Sequence, residues 1–317
     1  MTSSRTLWLS AAGLAAAVLC LAAPARAAEI DKLTPNDAEA VIFVNVRQII
    51  DSPVFKKNAL DEVKKALTSN DQLQQALKAT GLDPLKDVDN VLITVSGGAN
   101  SKVFFVARGA FDTTKLQAAV NAHMKEHPEK LKSSKEGDLT IYEGTENNQS
   151  VFFTLSDKAV LGSNDRAYVA NAADKKNVGA PSKELKAVMD KVTGKESMYM
   201  GAVVSAETKK QLANNPQMKD VADKLESATI TLDMTTDVAA AVNIYTTDPK
   251  AAGSINMQLT QIKNLGKLMV QGNPDVAPAA LELLDNLKIT TDDKTVKVNL
   301  KVSQETIDKL NPSKKDK

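Results

Sequence analysis

A chain of 317 residues with 40 basic and 39 acidic side chains, net +1, has no general electrostatic pull toward nucleic acid or anionic membranes. Its length exceeds the size at which one hydrophobic core keeps growing, so two domains are expected. Aromatic residues make up only 4% of it, too few for the stacking platforms of sugar-binding or single-strand nucleic-acid surfaces.

The N-terminus has the three-part layout of a secretory signal peptide. "MTSSRT" carries Arg5, and "LWLSAAGLAAAVLCLAA" follows without a charge. Pro24 then breaks the apolar run, and Ala25-Arg26-Ala27 place small residues at −3 and −1 of a cut before Ala28. The run is short and Ala-rich for a membrane span of about 20 residues, so no stable insertion is expected after cleavage. Arg5 stands alone, which excludes a twin-arginine signal, and Leu19 before Cys20 is not the small residue a lipoprotein signal wants. Residues 1–27 are therefore read as a signal peptide, and the protein as exported to the periplasm, cell surface or medium. Trp8 and Cys20, the one Trp and the one Cys, leave with it. The mature chain then has no disulfide, no thiol nucleophile and no Cys metal site. Removing Arg5 and Arg26 leaves 38 basic against 39 acidic residues. The basic tail "NPSKKDK" reads as a solvated end.

The mature chain opens with "AVIFVNV", a buried-strand run after Pro35 and Asn36. In "DSPVFKKNALDEVKKAL", Asp51 or Ser52 caps, Pro53 suits the first turn, and Phe55, Leu60, Val63 and Leu67 form an apolar stripe. The pattern predicts a helix running on to Gly81, a C-terminal stop. "LDPLKDVD" is a turn, "NVLITVSG" and "KVFFVARGA" are strands joined by "GGANS", and "DTTKLQAAVNAHMKEH" is a helix stopped by Pro128. "LTIYEG", "SVFFTLS" and "KAVLGS" are strands, and "DRAYVANAADKK" is a short helix. The second half repeats this order. "SMYMGAVVS" is a strand and "AETKKQLANNPQMKDVADKL" is helical. "ATITLDMTTD" and "AAAVNIYTTD" are paired strands, then come two helical runs, a closing hairpin and a last helix, "QETIDKLN". The expectation is an α+β fold of two similar modules, residues 28–178 and 179–317, each a largely antiparallel sheet with helices packed on it. An internal duplication accounts for the repeat. The joint lies near "KKNVGAPSKELK", where Gly179 and Pro181 interrupt the pattern.

"NDAEAVIFVNVRQIIDSPVFKK" followed by "GLDPLKDVDNVLITVSG" resembles uncharacterised secreted bacterial proteins of the planctomycete type, over residues 33–110. The resemblance implies export and brings no activity, ligand or catalytic residue. Within it, Asp83, Asp87 and Asp89 lack the Gly and terminal Glu of an EF-hand loop, so capping and turn roles are expected.

One stretch spells a chemistry. His123, Glu126 and His127 in "AVNAHMKEHPEK" match the H-x-x-E-H pattern of a zinc hydrolase, with Glu126 as catalytic base and the histidines as ligands. A 100° step puts both histidines beside the apolar stripe of Leu116, Val120 and Met124. Pro128, the polar "KEHPEKLKSSKEG" and the lack of a marked third ligand (Glu184 and Glu207 are the candidates) weigh against it. No phosphate-binding Gly loop or nucleophile elbow occurs. The expected function is therefore non-enzymatic binding or scaffolding, without cofactor, the partner being an unknown protein or a small apolar ligand. The apolar candidate rests on "MQLTQIKNLGKLMVQ" and "APAALELLDNL". Met257, Leu259, Ile262, Leu265, Leu268, Met269, Val270, Leu281, Leu283, Leu284 and Leu287 there could cover the second sheet loosely and leave a cavity. Protein recovered from the outer compartment of an exporting host should begin at Ala28, as read by intact mass; Ala27→Arg should retain the unprocessed N-terminus.

Overall fold

The structure, a computed structural model, describes residues 28, 30–97, 101–146, 149–156, 158–174, 181–271 and 277–310. The proposed signal peptide, Gly179 of the proposed joint, part of the "GGANS" loop and the basic tail lie outside the described residues.

Strand β1 (Ala40–Val44) is followed by helices α1 (Val46–Asp51), α2 (Pro53–Asn58), α3 (Leu60–Ser69), α4 (Asp71–Thr80) and α5 (Pro84–Asp87). Strands β2 (Val88–Ser96) and β3 (Lys102–Gly109) lead into α6 (Thr113–Glu126). Four strands follow, β4 (Leu131–Glu136), β5 (Leu139–Glu146), β6 (Gln149–Ser156) and β7 (Ala159–Ser163), then α7 (Arg166–Asp174) and α8 (Lys183–Met189). The second half has β8 (Met198–Val203), α9 (Ala206–Ala213), α10 (Lys219–Ala222), β9 (Leu225–Met234) and β10 (Val238–Thr246). It closes with α11 (Pro249–Gln271), α12 (Ala277–Asn286), β11 (Lys288–Asp292), β12 (Thr295–Val302) and α13 (Gln304–Leu310).

The fold is α+β. All twelve strands form one antiparallel sheet in the order β11-β12-β10-β9-β8-β1-β2-β3-β7-β6-β5-β4. The halves meet where β1 pairs with β8, from Ala40↔Ala202 to Val44↔Met198. Outward from this pair the strand orders match: β1-β2-β3-β7-β6 on one side and β8-β9-β10-β12-β11 on the other. The first half carries one further pair, β5 and β4, at its edge. Strand β4 is absent from the sequence-based expectation because "LKSSKE" is polar; only Leu131 in it is buried.

Local chemistry sets the helix ends. Ser52 Oγ accepts from Phe55 N at 3.1 Å with Pro53 at the first helical position. The long helix expected from Pro53 to Gly81 is divided instead. Asn70 Oδ1 accepts from Leu73 N at 3.0 Å and starts a new helix, α4, which Gly81 ends at φ 66°. "LDPLKDVD" contains the single turn α5, capped by Asp83 through Leu85 N at 3.0 Å. Asp87 Oδ2 accepts from Asp83 N at 2.6 Å, and Asp89 lies 3.7 Å from Arg47 Nε. Asp83 and Asp87 thus serve a cap and a turn, while Asp89, in β2, pairs with Arg47.

Because side chains alternate, the register sorts residues onto two faces. One face is closed. Val41, Leu92, Phe104, Val106, Leu161 and Tyr199 lie on it, each 0–6% exposed. Helices α7 and α8, with the segment carrying Ala28, Ile30, Leu33 and Ala38, cover them. Tyr168 of α7 meets Phe104 edge-on at 6.3 Å, and Phe43 stacks on Tyr199 at 5.1 Å. Gly201 makes room for α8, since a Cβ there would sit 2.4 Å from Met189 Sδ. The core therefore spans the β1–β8 seam, and α8, from the second sequence module, helps to build it. Phe104 and Phe105 are neighbours on opposite faces, so Phe104→Ala should cost about 3–5 kcal/mol in denaturant unfolding, and Phe105→Ala markedly less.

Candidate functional site

The histidines occupy the end of α6. His127 is its C-cap, donating from its backbone N–H to His123 O at 2.9 Å, and the two rings lie 4.8 Å apart. His123 is exposed, not on the inner edge that the 100° step places it on. Leu116 is the buried residue of the helix, and near it Gln117 Nε2 donates to Tyr142 Oη at 2.7 Å. His127 Nδ1 has Glu129 Oε1 at 3.8 Å, while Glu126, Glu184 and Glu207 are exposed on their helices. Among the described residues no group of three or more His, Cys, Asp or Glu side chains is placed to hold a metal ion.

A polar relay that sequence reasoning missed joins three elements. The Tyr168 hydroxyl donates to Asp37 Oδ1 at 2.5 Å and, its hydrogen so used, accepts from Ser96 Oγ at 2.6 Å. Lys102 Nζ lies 4.9 Å from the ring centre and pairs with Asp165 at 2.9 Å. Burial, then the bond to the Asp37 carboxylate, push the Tyr168 hydroxyl well above its usual range, so it stays protonated. The relay latches the segment before β1 and helix α7 onto β2. No spacing in the sequence marks it, because its members are 72 and 131 residues apart.

The second face of the sheet is the more extensive feature. A single row crosses nine strands: Gly162, Phe105, Ile93, Ile42, Met200, Ile230, Val242, Val298 and Ile289. The rows on either side are equally apolar, with Ala40, Val95, Val103, Ala202, Ala228 and Ile244 in one, and Val44, Val91, Ala107, Met198, Leu232 and Ala240 in the other. From β3 to β10 no polar or charged side chain of these rows points to this face. The central members are only partly buried, and Val103 is 38% exposed. The opposite face is buried at β1, β2, β3 and β8, but toward β10 it opens: Thr231, Asp233 and Ala241 are half-buried there and Ala239 is exposed.

Helices flank this open face on both sides. α6 lies over β4 and β6, with Gln117 bonded to Tyr142, which lies in the same cross-strand row. α11 packs Ala252 and Ile255 with Ile244, Val296 and Val298 of the far strands. The helices α2–α4 run between the flanks. α2 is tied to α13 by Lys57–Asp308 at 2.7 Å and by Asn58 Nδ2 donating to Gln304 Oε1 at 3.0 Å. α13 is held to α12 by Thr306 Oγ1 donating to Glu282 Oε1 at 2.5 Å, and at the other end α4 touches α6. α3 has no buried residue; Leu60, Val63 and Leu67 on its stripe are half covered, and Leu73 of α4 is 38% exposed. The result is an apolar face over β3, β2, β1, β8 and β9, about 20 Å wide at the spacing of paired strands, beside an arch, α2–α4, whose first helix buries Val54 and Phe55 while the stripe of α3 is half covered.

The expected cavity between 255–287 and the sheet takes another form. Leu259 packs on the core, but Met257, Ile262, Leu265, Leu268 and Met269 are 59–80% exposed. A depression of about 290 Å³ lies on the opposite face, lined by Ala239, Ala240, Ala241 and Leu300 together with Thr231, Asp233, Asn299 and Lys301, so that apolar surface predominates in it. No described helix is long and apolar enough to cross a membrane. No family model, no curated protein and no solved structure matches the chain.

Tyr168→Phe removes both hydroxyl bonds and should cost about 1–3 kcal/mol at neutral pH. Wild-type stability should fall as pH rises above about 10, because the unfolded chain loses the tyrosine protons there and the folded one holds them. Tyr199, pushed up to about 12 by burial and then by Glu196 and Asp31, contributes the same sign. Denaturant unfolding at alkaline pH should show a shallower decline in Tyr168→Phe.

Proposed function

We propose that this is an exported, non-enzymatic binding protein that holds an apolar ligand in the recess between the open face of the sheet and the arch α2–α4. The observation that carries the reading is the uncharged row from Phe105 through Ile93, Ile42 and Met200 to Ile230, left partly exposed in the middle of a sheet whose other face is buried from β3 to β8. Water-soluble proteins rarely leave a large contiguous apolar surface open unless something binds there. The floor has no donor, acceptor or titratable side chain, which suits retention of an apolar molecule and not proton transfer. Every floor strand is paired on both sides, so an extended peptide has no edge to join. The matching strand orders of the halves support descent from one duplicated unit, the recess forming where the copies meet.

A solvatochromic apolar dye titrated into the mature protein should bind saturably. Met200→Glu puts a carboxylate in the middle of the floor and should weaken dye binding tenfold or more, with circular dichroism unchanged. Ile230→Gln is the milder companion should Met200→Glu unfold. Dye affinity unaltered in a folded floor variant, or no binding by the wild type, would overturn the reading.

A further inference from the structure

Helix α11 carries an apolar ridge that belongs neither to the core nor to the recess floor. Met257, Ile262, Leu265, Leu268 and Met269 are 63, 65, 59, 66 and 80% exposed, while Ala252 and Ile255 pack against the far strands. Stepping 100° per residue from Met257 puts Leu268, Leu265, Met269 and Ile262 within an arc of about 140°. The ridge is about 18 Å long at the helical rise.

Three features of this arc select its occupant. It is broader than the narrow seam by which two helices interlock, and it suits a flat apolar medium. A second copy is a poor fit, because Ile262, Leu265 and Met269 supply one heptad of seam and Gln258 interrupts it on the N-terminal side; sustained pairing needs three or four. A protein partner would find no aromatic or Arg anchor, only flexible Met, Leu and Ile side chains. Charge agrees with lipid: between Pro249 and Gln271 the helix has no Asp or Glu, and of its three lysines the exposed Lys250 falls on the ridge side at 100° per residue, while Lys263 and Lys267 are turned toward α12. Lys263 bonds a neutral group, the Leu287 carbonyl, and Lys267 pairs with Asp285. The other polar positions in or beside the arc, Ser254, Gln258, Gln261 and Asn264, are uncharged. A helix of this kind lies in the headgroup–acyl boundary with its apolar arc buried and does not span, in keeping with its lacking the apolarity needed to cross despite its 23 residues.

We infer that α11 docks this protein on the surface of a lipid bilayer through the Met257–Met269 ridge. The inference goes beyond apolar-ligand binding in the recess and stands independently of it.

Flotation of the mature chain with vesicles of phosphatidylethanolamine and phosphatidylglycerol tests it. Wild-type protein should rise with the vesicles. Leu265→Asn and Leu268→Asn, at solvent-exposed positions, should leave the circular dichroism unchanged and each weaken partition by about tenfold or more. Met200→Glu should float like the wild type, and the ridge variants should keep dye binding in the recess, so the two readings fail separately. Failure of the wild type to float would overturn the inference, as would flotation unaltered in both ridge variants. A dimer in analytical ultracentrifugation that the ridge variants dissociate would overturn it too, by assigning the ridge to a second copy.

Discussion

The antiparallel pairing of β1 with β8 is the constraint on which the rest depends. It joins two half-sheets into one of twelve strands and sets the phase in which their side chains alternate. With a period of two, the register Ile42↔Met200 puts the apolar set of β8 on the same face as that of β1, and every strand outward inherits the choice. A slip of one residue would turn Tyr199 away from Phe43 and put Gly201, whose missing side chain admits Met189, on the wrong face. The seam therefore builds the sealed core on one face and, by the same register, the apolar row on the other.

The two faces differ in what the chain supplies to cover them. The closed face receives α7, α8 and the segment before β1, locked by Tyr168 between Asp37 and Ser96. The open face receives helices only over its outer strands, because α6 and α11–α12 follow β3 and β10 and pack outward from the centre. The segment that returns over the middle, α2–α4, is fixed at its ends to α13 and α6. Its stripe of Leu60, Val63 and Leu67 remains half covered.

Much of this architecture was legible in sequence. The α+β class, the strand runs, the Ser52 and Asp112 caps and the stop at Gly81 follow from local chemistry. What escaped was tertiary. "AVIFVNV" and "KVFFVAR" lack alternation because both faces of these strands are apolar, and that pattern cannot say that only one is sealed. In α11 the periodicity of Leu259, Ile262 and Leu265 reads as core cover, yet only Leu259 packs there. The helix has more apolar circumference than one sheet can bury. "LKSSKE" was missed as a strand because its pairing with β5, not its side chains, makes it one. His123 and His127 do share one end of a helix as their spacing implies, but the pattern is silent on what faces them, and among the described residues no third donor completes a metal-holding group with them.

An apolar face and an apolar ridge on one chain raise the question of self-association, and the strand edges bear on it. β4 carries Lys132, Lys135 and Glu136, and β11 carries Lys288 and Asp292, all exposed. Charges on the two outermost strands oppose edge-to-edge growth of the sheet. Face-to-face stacking requires two sheets to approach to about 10 Å, and flanking helices with an arch between them occupy that layer on the open side. Sheets of another copy are thereby kept off the floor, while a small flexible molecule is not. The exclusion acts by size and stiffness, and it leaves the floor without need of charged side chains to guard it, which is the condition the uninterrupted row from Phe105 to Val242 meets.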